Sequence, residues 1–213
     1  MTEATAAAPP LSVPPAPRRE LRTPRLLLTA GGPGIAPAVR DFYLRNRAHF
    51  KRWDPPSNEA SYTLEAQALR VQSGLDAFLA GTAFRYWVQL ADDESAPAMG
   101  ATPVIGSLHF SQVARGAFHN AMLGYALDEA HVGRGMMTEA LHAGIDEMFS
   151  ERVNLHRIQA AYRPENDRSG AVLRRLGFEL EGHARDYLFI DGAWRDHRIT
   201  ALVNPVFRKP EGW

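Results

Sequence analysis

The sequence contains no cysteine. That excludes a disulfide framework, a thiolate metal site and a cysteine nucleophile, and it fits a reducing compartment. Lysine is almost missing too: only Lys51 and Lys209 occur, so arginine carries the positive charge. Neither sign of charge is in excess, with Lys+Arg and Asp+Glu at 24 each, and no global field directs the chain to nucleic acid or a membrane surface. No apolar run approaches the ~20 residues of a membrane-spanning helix. The N-terminus lacks a cationic start followed by an apolar stretch, so it does not read as a secretory signal, and a cytoplasmic location is expected. The histidines show no metal-ligand spacing, and no metal is expected.

What is present suits one domain with a full core: 213 residues, 45% apolar and 23% charged. Residues 1–20 are rich in Ala and Pro, with five prolines by Pro17, and read as a disordered tail. A folded domain is expected over residues 21–205, followed by a short C-terminal tail at 206–213. Within it, strands are read at 26–29, 84–90, 104–111, 120–127, 157–162, 184–190 and 194–202. Helices are read around Val39, Phe42 and Tyr43, over 64–80 before Gly81, from Met137 through Met148, and within 164–176 before Gly177. Asp191-Gly192 marks a hairpin between the last two strands. The order predicts an α/β fold with one mixed sheet of about seven strands and about four helices.

The most informative segment is Val132-Gly133-Arg134-Gly135-Met136-Met137-Thr138, between a strand and a helix. A helix start offers unpaired N–H groups and partial positive charge, and glycines let backbone approach phosphate oxygens. Taken alone, Gly133-x-Gly135 is as compatible with an ordinary tight turn as with a phosphate cradle. It is not the dinucleotide fingerprint, because Thr138 stands where the third glycine belongs, and it has no Gly-Lys-Ser/Thr of a phosphate-binding P-loop.

Together with Leu155-His156-Arg157-Ile158-Gln159, Asn166-Asp167-Arg168-Ser169 and Leu176-Gly177-Phe178, the segment from Leu123 to Glu139 resembles the Gcn5-related N-acetyltransferases (GNAT). Their loop reads Gln/Arg-x-x-Gly-x-Gly/Ala. Val132 and Met137 depart from its first and last positions. Arg45-Asn46-Arg47, Trp53-Asp54-Pro55, and the stretch Asp186-Tyr187-Leu188 to Trp194-Arg195-Asp196-His197 are similar to the ribosomal-protein-alanine (RimJ/RimL-like) group, nearest its RimJ branch. The likeness spans roughly residues 21–205.

The resemblance implies a GNAT fold, mostly antiparallel with a central parallel pair that splays to admit the pantetheine arm of acetyl-coenzyme A. On it, backbone groups of Tyr125, Ala126 and Leu127 would bind the arm. Amides of Val132, Gly133, Arg134, Gly135, Met136, Met137 and Thr138 would hold the pyrophosphate. Asn166 would bond the arm or, alternatively, cap its helix. Ser169 would protonate the departing thiolate, or merely satisfy the helix start; the Tyr that many relatives carry for this task is replaced by Leu173. Trp53, Tyr187 and Trp194 would line the acceptor groove or serve as packing.

A base is not obvious. Leu188 occupies the position at which the RimL-like branch carries a Glu, and Asp186 is the substitute candidate, with a surface salt bridge as its alternative. Neutralising an α-amine of pKa near 8 at pH 7 costs only ~1.4 kcal/mol, against ~4.6 kcal/mol for a lysine near 10.4. A site without a strong base therefore suits an α-amine. The resemblance implies transfer to the N-terminal alanine of a ribosomal protein. The competing readings are a small-molecule amine acetyltransferase and a non-catalytic acyl-coenzyme A sensor or ribosome-assembly factor.

Overall fold

The computed structural model describes residues 15–91, 102–210 and 212. Its frame is one eight-stranded sheet in the order β1-β2-β3-β4-β5-β6-β8-β7. The strands are β1 (Glu20–Arg22), β2 (Leu26–Thr29), β3 (Phe84–Leu90), β4 (Gly106–Ala114), β5 (Asn120–Leu127), β6 (Arg157–Tyr162), β7 (Glu179–Ile190) and β8 (Ala193–Val203). Five α-helices accompany them among the described residues: α1 (Ala36–Arg45), α2 (Arg47–Lys51), α3 (Leu64–Leu79), α4 (Met136–Phe149) and α5 (Asp167–Arg175).

The alternation of strand side chains divides the core in two. In β3, Tyr86 and Val88 join the cluster that α4 contributes to through Met137, Leu141, Ile145 and Met148. The intervening Trp87 belongs to a second cluster with Val39 and Phe42 of α1 and Val71 of α3. Helix α4 lies close on the sheet because Gly144 has no side chain; a Cβ there would come within 2.9 Å of Leu108. Thr63 starts α3 by accepting the Ala66 N–H, one of the donors a helix start leaves unpaired.

Register explains the central feature. Strands β5 and β6 pair in parallel only from Asn120↔Arg157 to Leu123↔Ala160. Beyond that point β5 stays paired with β4 as far as Leu127↔Gly106, and β6 stays paired with β8 as far as Tyr162↔Arg198. Each strand follows its outer neighbour, and the two part.

The sheet has one strand more than the seven expected, because Glu20–Arg22 folds back on β2 as β1. The extra helix is the short α2, just ahead of Pro55-Pro56. The tail expected over 1–20 lies outside the described residues as far as 14, yet Arg18 already binds the buried Glu147 of α4 through its N–H and Nε, each 2.7 Å from a carboxylate oxygen. Tertiary contacts thus begin before residue 21. At the other end, the Arg208 N–H donates to Asn154 Oδ1 at 3.1 Å, inside the segment expected to be a tail. The final hairpin is longer than the expected 184–190 and 194–202, since β7 already begins at Glu179, two residues after Gly177, whose φ of 84° follows the end of α5.

Candidate active site at the parting of the central strands

The Asp128 N–H donates to the Ile105 carbonyl at 2.8 Å. An antiparallel ladder alternates, so Ala126 and Gly124 also spend their backbone groups on β4, while Tyr125 and Leu127 turn theirs the other way. That way lies the wedge, where β6 no longer supplies partners.

The end of the wedge is closed by the start of α4. Gly133 and Gly135 have φ of 83° and 76°, in the left-handed region that glycine enters without penalty. Gly135 caps the helix and no side chain takes over the cap, so the first-turn amides remain available. A Cβ on Gly133 would meet nothing within 4 Å, which leaves this face of the loop open to an incoming group.

A clamp outside the loop's own sequence fixes it. Arg25 Nη1 donates to the Arg134 carbonyl at 3.0 Å, and its Nε donates to Glu139 Oε2 at 2.6 Å. The Thr23 hydroxyl donates to Glu139 Oε1, also at 2.6 Å. Burial pushes the Glu139 carboxyl up, but the bonds from Thr23 and Arg25 outweigh it and hold the group below its ordinary value.

Around the wedge is a cleft of about 980 Å³. Of the residues singled out in the sequence, it gathers Trp53, Tyr125, Ala126, Leu127, Val132, Gly133, Gly135, Met136, Met137, Thr138, Asn166 and Ser169. The Met137 side chain is buried in the core. Arg134 is not part of the lining; its side chain is exposed and its carbonyl is taken by Arg25. Asn166 is the cap of α5, its Oδ1 accepting the Ser169 N–H at 3.1 Å.

Ser169 has a partner that the sequence did not reveal. Its Oγ lies 2.7 Å from the Tyr125 hydroxyl. Burial pushes the Tyr125 phenol up to about 12, with the Ser169 bond opposing, so it stays protonated at neutral pH. Two hydroxyls in contact at the cleft wall can relay a proton to a group held in the wedge.

Asp186, Tyr187 and Trp194 are not brought to the cleft. Asp186 is exposed at φ 48°, where the β7–β8 register shifts between Ala184 and Leu188, and its N–H donates to Asp196 Oδ1 at 2.9 Å. Tyr187 packs on His197 at 5.2 Å between centroids, and Trp194 packs edge-on against Phe189 at 5.9 Å. Both rings remain exposed, Tyr187 at 38% and Trp194 at 60%. Besides Glu165 and Asp167, the acidic residue lining the cleft is Asp54, beside Trp53. Burial pushes its carboxyl up to about 6, with Arg70 opposing. Asp54 belongs to the Trp53-Asp54-Pro55 segment that carries part of the family resemblance, but nothing in the sequence assigns it a role, and only Trp53 beside it is singled out there. Arg25 was likewise hidden, because its partners lie more than a hundred residues away.

Residues 25–179 match the model of the acetyltransferase (GNAT) domain family. The chain is a GNAT acetyltransferase. It is 39% identical over 189 residues to the [Ribosomal protein uS5]-alanine N-acetyltransferase of Escherichia coli (strain K12), covering 89% of this chain and 93% of that one. The crystal structure of the ribosomal-protein-S5-alanine acetyltransferase from Vibrio fischeri superposes with a TM-score of 0.82 at 33% identity, covering 89% of this GNAT chain and 99% of the other. Mycobacterium smegmatis RimJ in complex with CoA-disulfide superposes at 0.77 with 28% identity, covering 89% and 88%. The eight strands and the parted central pair are thus those of a mixed α/β GNAT fold. Among the described residues no helix is long and apolar enough to cross a membrane.

Proposed function

We propose that this acetyltransferase moves the acetyl group of acetyl-coenzyme A to the N-terminal α-amine of an alanine-starting ribosomal protein, by direct attack with both substrates bound. The observation that carries the reading is the parting of β5 and β6 beyond Leu123↔Ala160, with α4 presenting uncapped amides at its end. A pantetheine arm fits such a wedge as a further strand, bonded by Tyr125 and Leu127, while a pyrophosphate sits on the amides of Val132 to Thr138. Open space at Gly133 is what such a phosphate needs. A backbone N–H of β5 aimed at the thioester oxygen stabilises the tetrahedral intermediate, and such a donor is typically worth about 3 kcal/mol. The Ser169–Tyr125 hydroxyl pair supplies the proton that the departing thiolate takes up. The relatives named above, one a uS5-alanine and one an S5-alanine acetyltransferase, support the choice of acceptor.

The test is thiol release from acetyl-coenzyme A with a panel of Ala-starting peptides, internal-lysine peptides and small amines, with mass spectrometry locating the acetyl group. Acetylation of the alanine α-amine is the expected outcome. Transfer confined to lysines or small amines would refute the acceptor. Binding of coenzyme A with no thiol release for any acceptor would leave a sensor instead of an enzyme of this specificity.

A further inference from the structure

The cleft has an acidic wall as well as a hydroxyl pair, and the two come from distant parts of the chain. Asp54 follows α2: the Trp53 and Asp54 N–H groups both donate to the Phe50 carbonyl, at 2.8 and 2.9 Å, which folds the chain back at the helix end. This turn is tied to the far side of the wedge. Arg163, directly after β6, donates from Nη1 to the Arg52 carbonyl at 2.7 Å and lays its guanidinium over the Trp53 ring at 5.5 Å. Arg52 covers the same ring at 4.7 Å. The turn carrying Asp54 is thereby docked on the segment that leads into Asn166 and Ser169, and Arg52, Trp53, Asp54, Asn166 and Ser169 line one cleft.

We propose that Asp54 is the general base of the reaction, taking the proton from the acceptor's ammonium group before the amine attacks. The proposal rests on the acetyl-transfer reading above. In balance, Asp54 takes one proton from the ammonium and passes it to water in the open cleft. The nitrogen lone pair forms the C–N bond to the thioester carbon, and the C–S bond breaks with its electron pair on sulfur. The nitrogen then loses a second proton as the amide forms, matching the one that sulfur gains through Ser169 and Tyr125. The net products are an N-acetyl amine, the coenzyme thiol and one proton.

The environment suits this task. The half-buried carboxyl stands at about 6, so above neutral pH it is ionised yet basic enough to accept a proton. Arg70 from α3 is the charged group that acts on it; His49 and Arg52 from α2 and its end, Tyr125 from β5 and Glu165 line the same cleft, and Arg163 after β6 holds the Arg52 carbonyl. Arg70 is engaged with Tyr43, donating to its hydroxyl at 3.2 Å and stacking on its ring at 4.8 Å. It lowers the Asp54 carboxyl less than burial raises it.

The experiment compares wild type, Asp54→Asn and Asp54→Glu in kcat/KM from pH 6 to 9.5, with acetyl-coenzyme A affinity and melting temperature measured on each. The acceptor is an Ala-starting peptide or, if the wild type uses a small amine instead, that amine. A wrong acceptor therefore shows in the wild type alone and leaves the base tested on the amine that is used. We expect Asp54→Asn to lose about tenfold near pH 7, the factor that ~1.4 kcal/mol of amine neutralisation represents. The loss should shrink as pH passes the acceptor's own pKa, near 8 for an α-amine, because the amine then arrives already neutral. Coenzyme A affinity should stay within twofold, and Asp54→Glu should recover part of the rate. Activity of Asp54→Asn within threefold of wild type, or a deficit equal at every pH, would overturn the proposal. So would Asp54→Glu failing like Asp54→Asn while melting at the wild-type temperature.

Discussion

The two sides of the cleft are built on different principles. On the cofactor side the groups are backbone amides of a strand end and a helix start, and they lie within residues 125–138 of one another in the sequence. On the side that the proposed function gives to the acceptor the groups are side chains: Trp53 and Asp54 after α2, Tyr125 in β5, and Ser169 in α5 meet only after the sheet has formed. A backbone-built subsite would tolerate changes of side chain, and Val132 and Met137, which depart from the family's loop pattern, both still line the cleft. A side-chain-built subsite has no such latitude. Substitutions should therefore divide cleanly, with acceptor-side changes striking turnover and cofactor-side changes striking affinity only when they disturb the backbone.

The sharpest test of that division is Ser169→Ala, which should cut kcat about 100-fold while coenzyme A affinity stays within twofold. Tyr125→Phe should cost about tenfold on the same assay. Because the two hydroxyls are in contact at 2.7 Å, the double variant should lose less than the product of the single losses, and additive losses would deny them a shared role. Gly133→Val acts in the opposite sense. At φ 83° a β-branched residue is strained by about 1–3 kcal/mol, so the loop should shift and coenzyme A affinity, read by calorimetry, should fall tenfold or more.

Arg25→Ala is a milder probe of the same side. It removes the bonds to Glu139 and to the Arg134 carbonyl, and should weaken coenzyme A binding about threefold at a stability cost of about 1 kcal/mol. The clamp also has a pH signature. The Glu139 carboxyl lies below its ordinary value of 4.5 in the folded chain, so its stabilisation is present above that value and is lost as pH falls through the folded one. Wild type and Arg25→Ala should therefore differ in melting temperature at pH 6 and converge in strong acid. The smallest effect belongs to Asp186→Asn, which should leave kcat/KM within twofold because Asp186 sits at an exposed register shift outside the cleft. A loss there comparable to that of Asp54→Asn would move the base to the last hairpin and undo the comparison.

The same contrast explains what was legible beforehand. Strands β2, β3, β5 and β6 were readable to the residue, because each is a short apolar or alternating run with its own turn signals. The α4 loop was readable because its function is local: glycines and a helix start carry it. β1 was missed because three residues, Glu20–Arg22, show no periodicity, and only pairing with β2 makes them a strand. The Trp53-Asp54-Pro55 turn is legible as a family-like segment, yet no role for Asp54 could be read from it, because the turn is docked by Arg163 more than a hundred positions later. Counting along a strand, which selects Asp186, assumes an even ladder, whereas β7 shifts register between Ala184 and Leu188 and Asp186 does not line the cleft.

The place of β8 in the sheet sets a timetable for synthesis. It is the last strand in the chain, yet it lies inside the sheet as the outer neighbour of β6, pairing along it from Arg157↔Val203 to Tyr162↔Arg198. A nascent chain that has not yet acquired residues 193–203 has β6 as a bare edge, with nothing to pull its end away from β5. The parting of β5 and β6 is thus among the final features the polypeptide can form, and a stop between α5 and β8 would leave the Gly133–Gly135 loop without the wedge beside it.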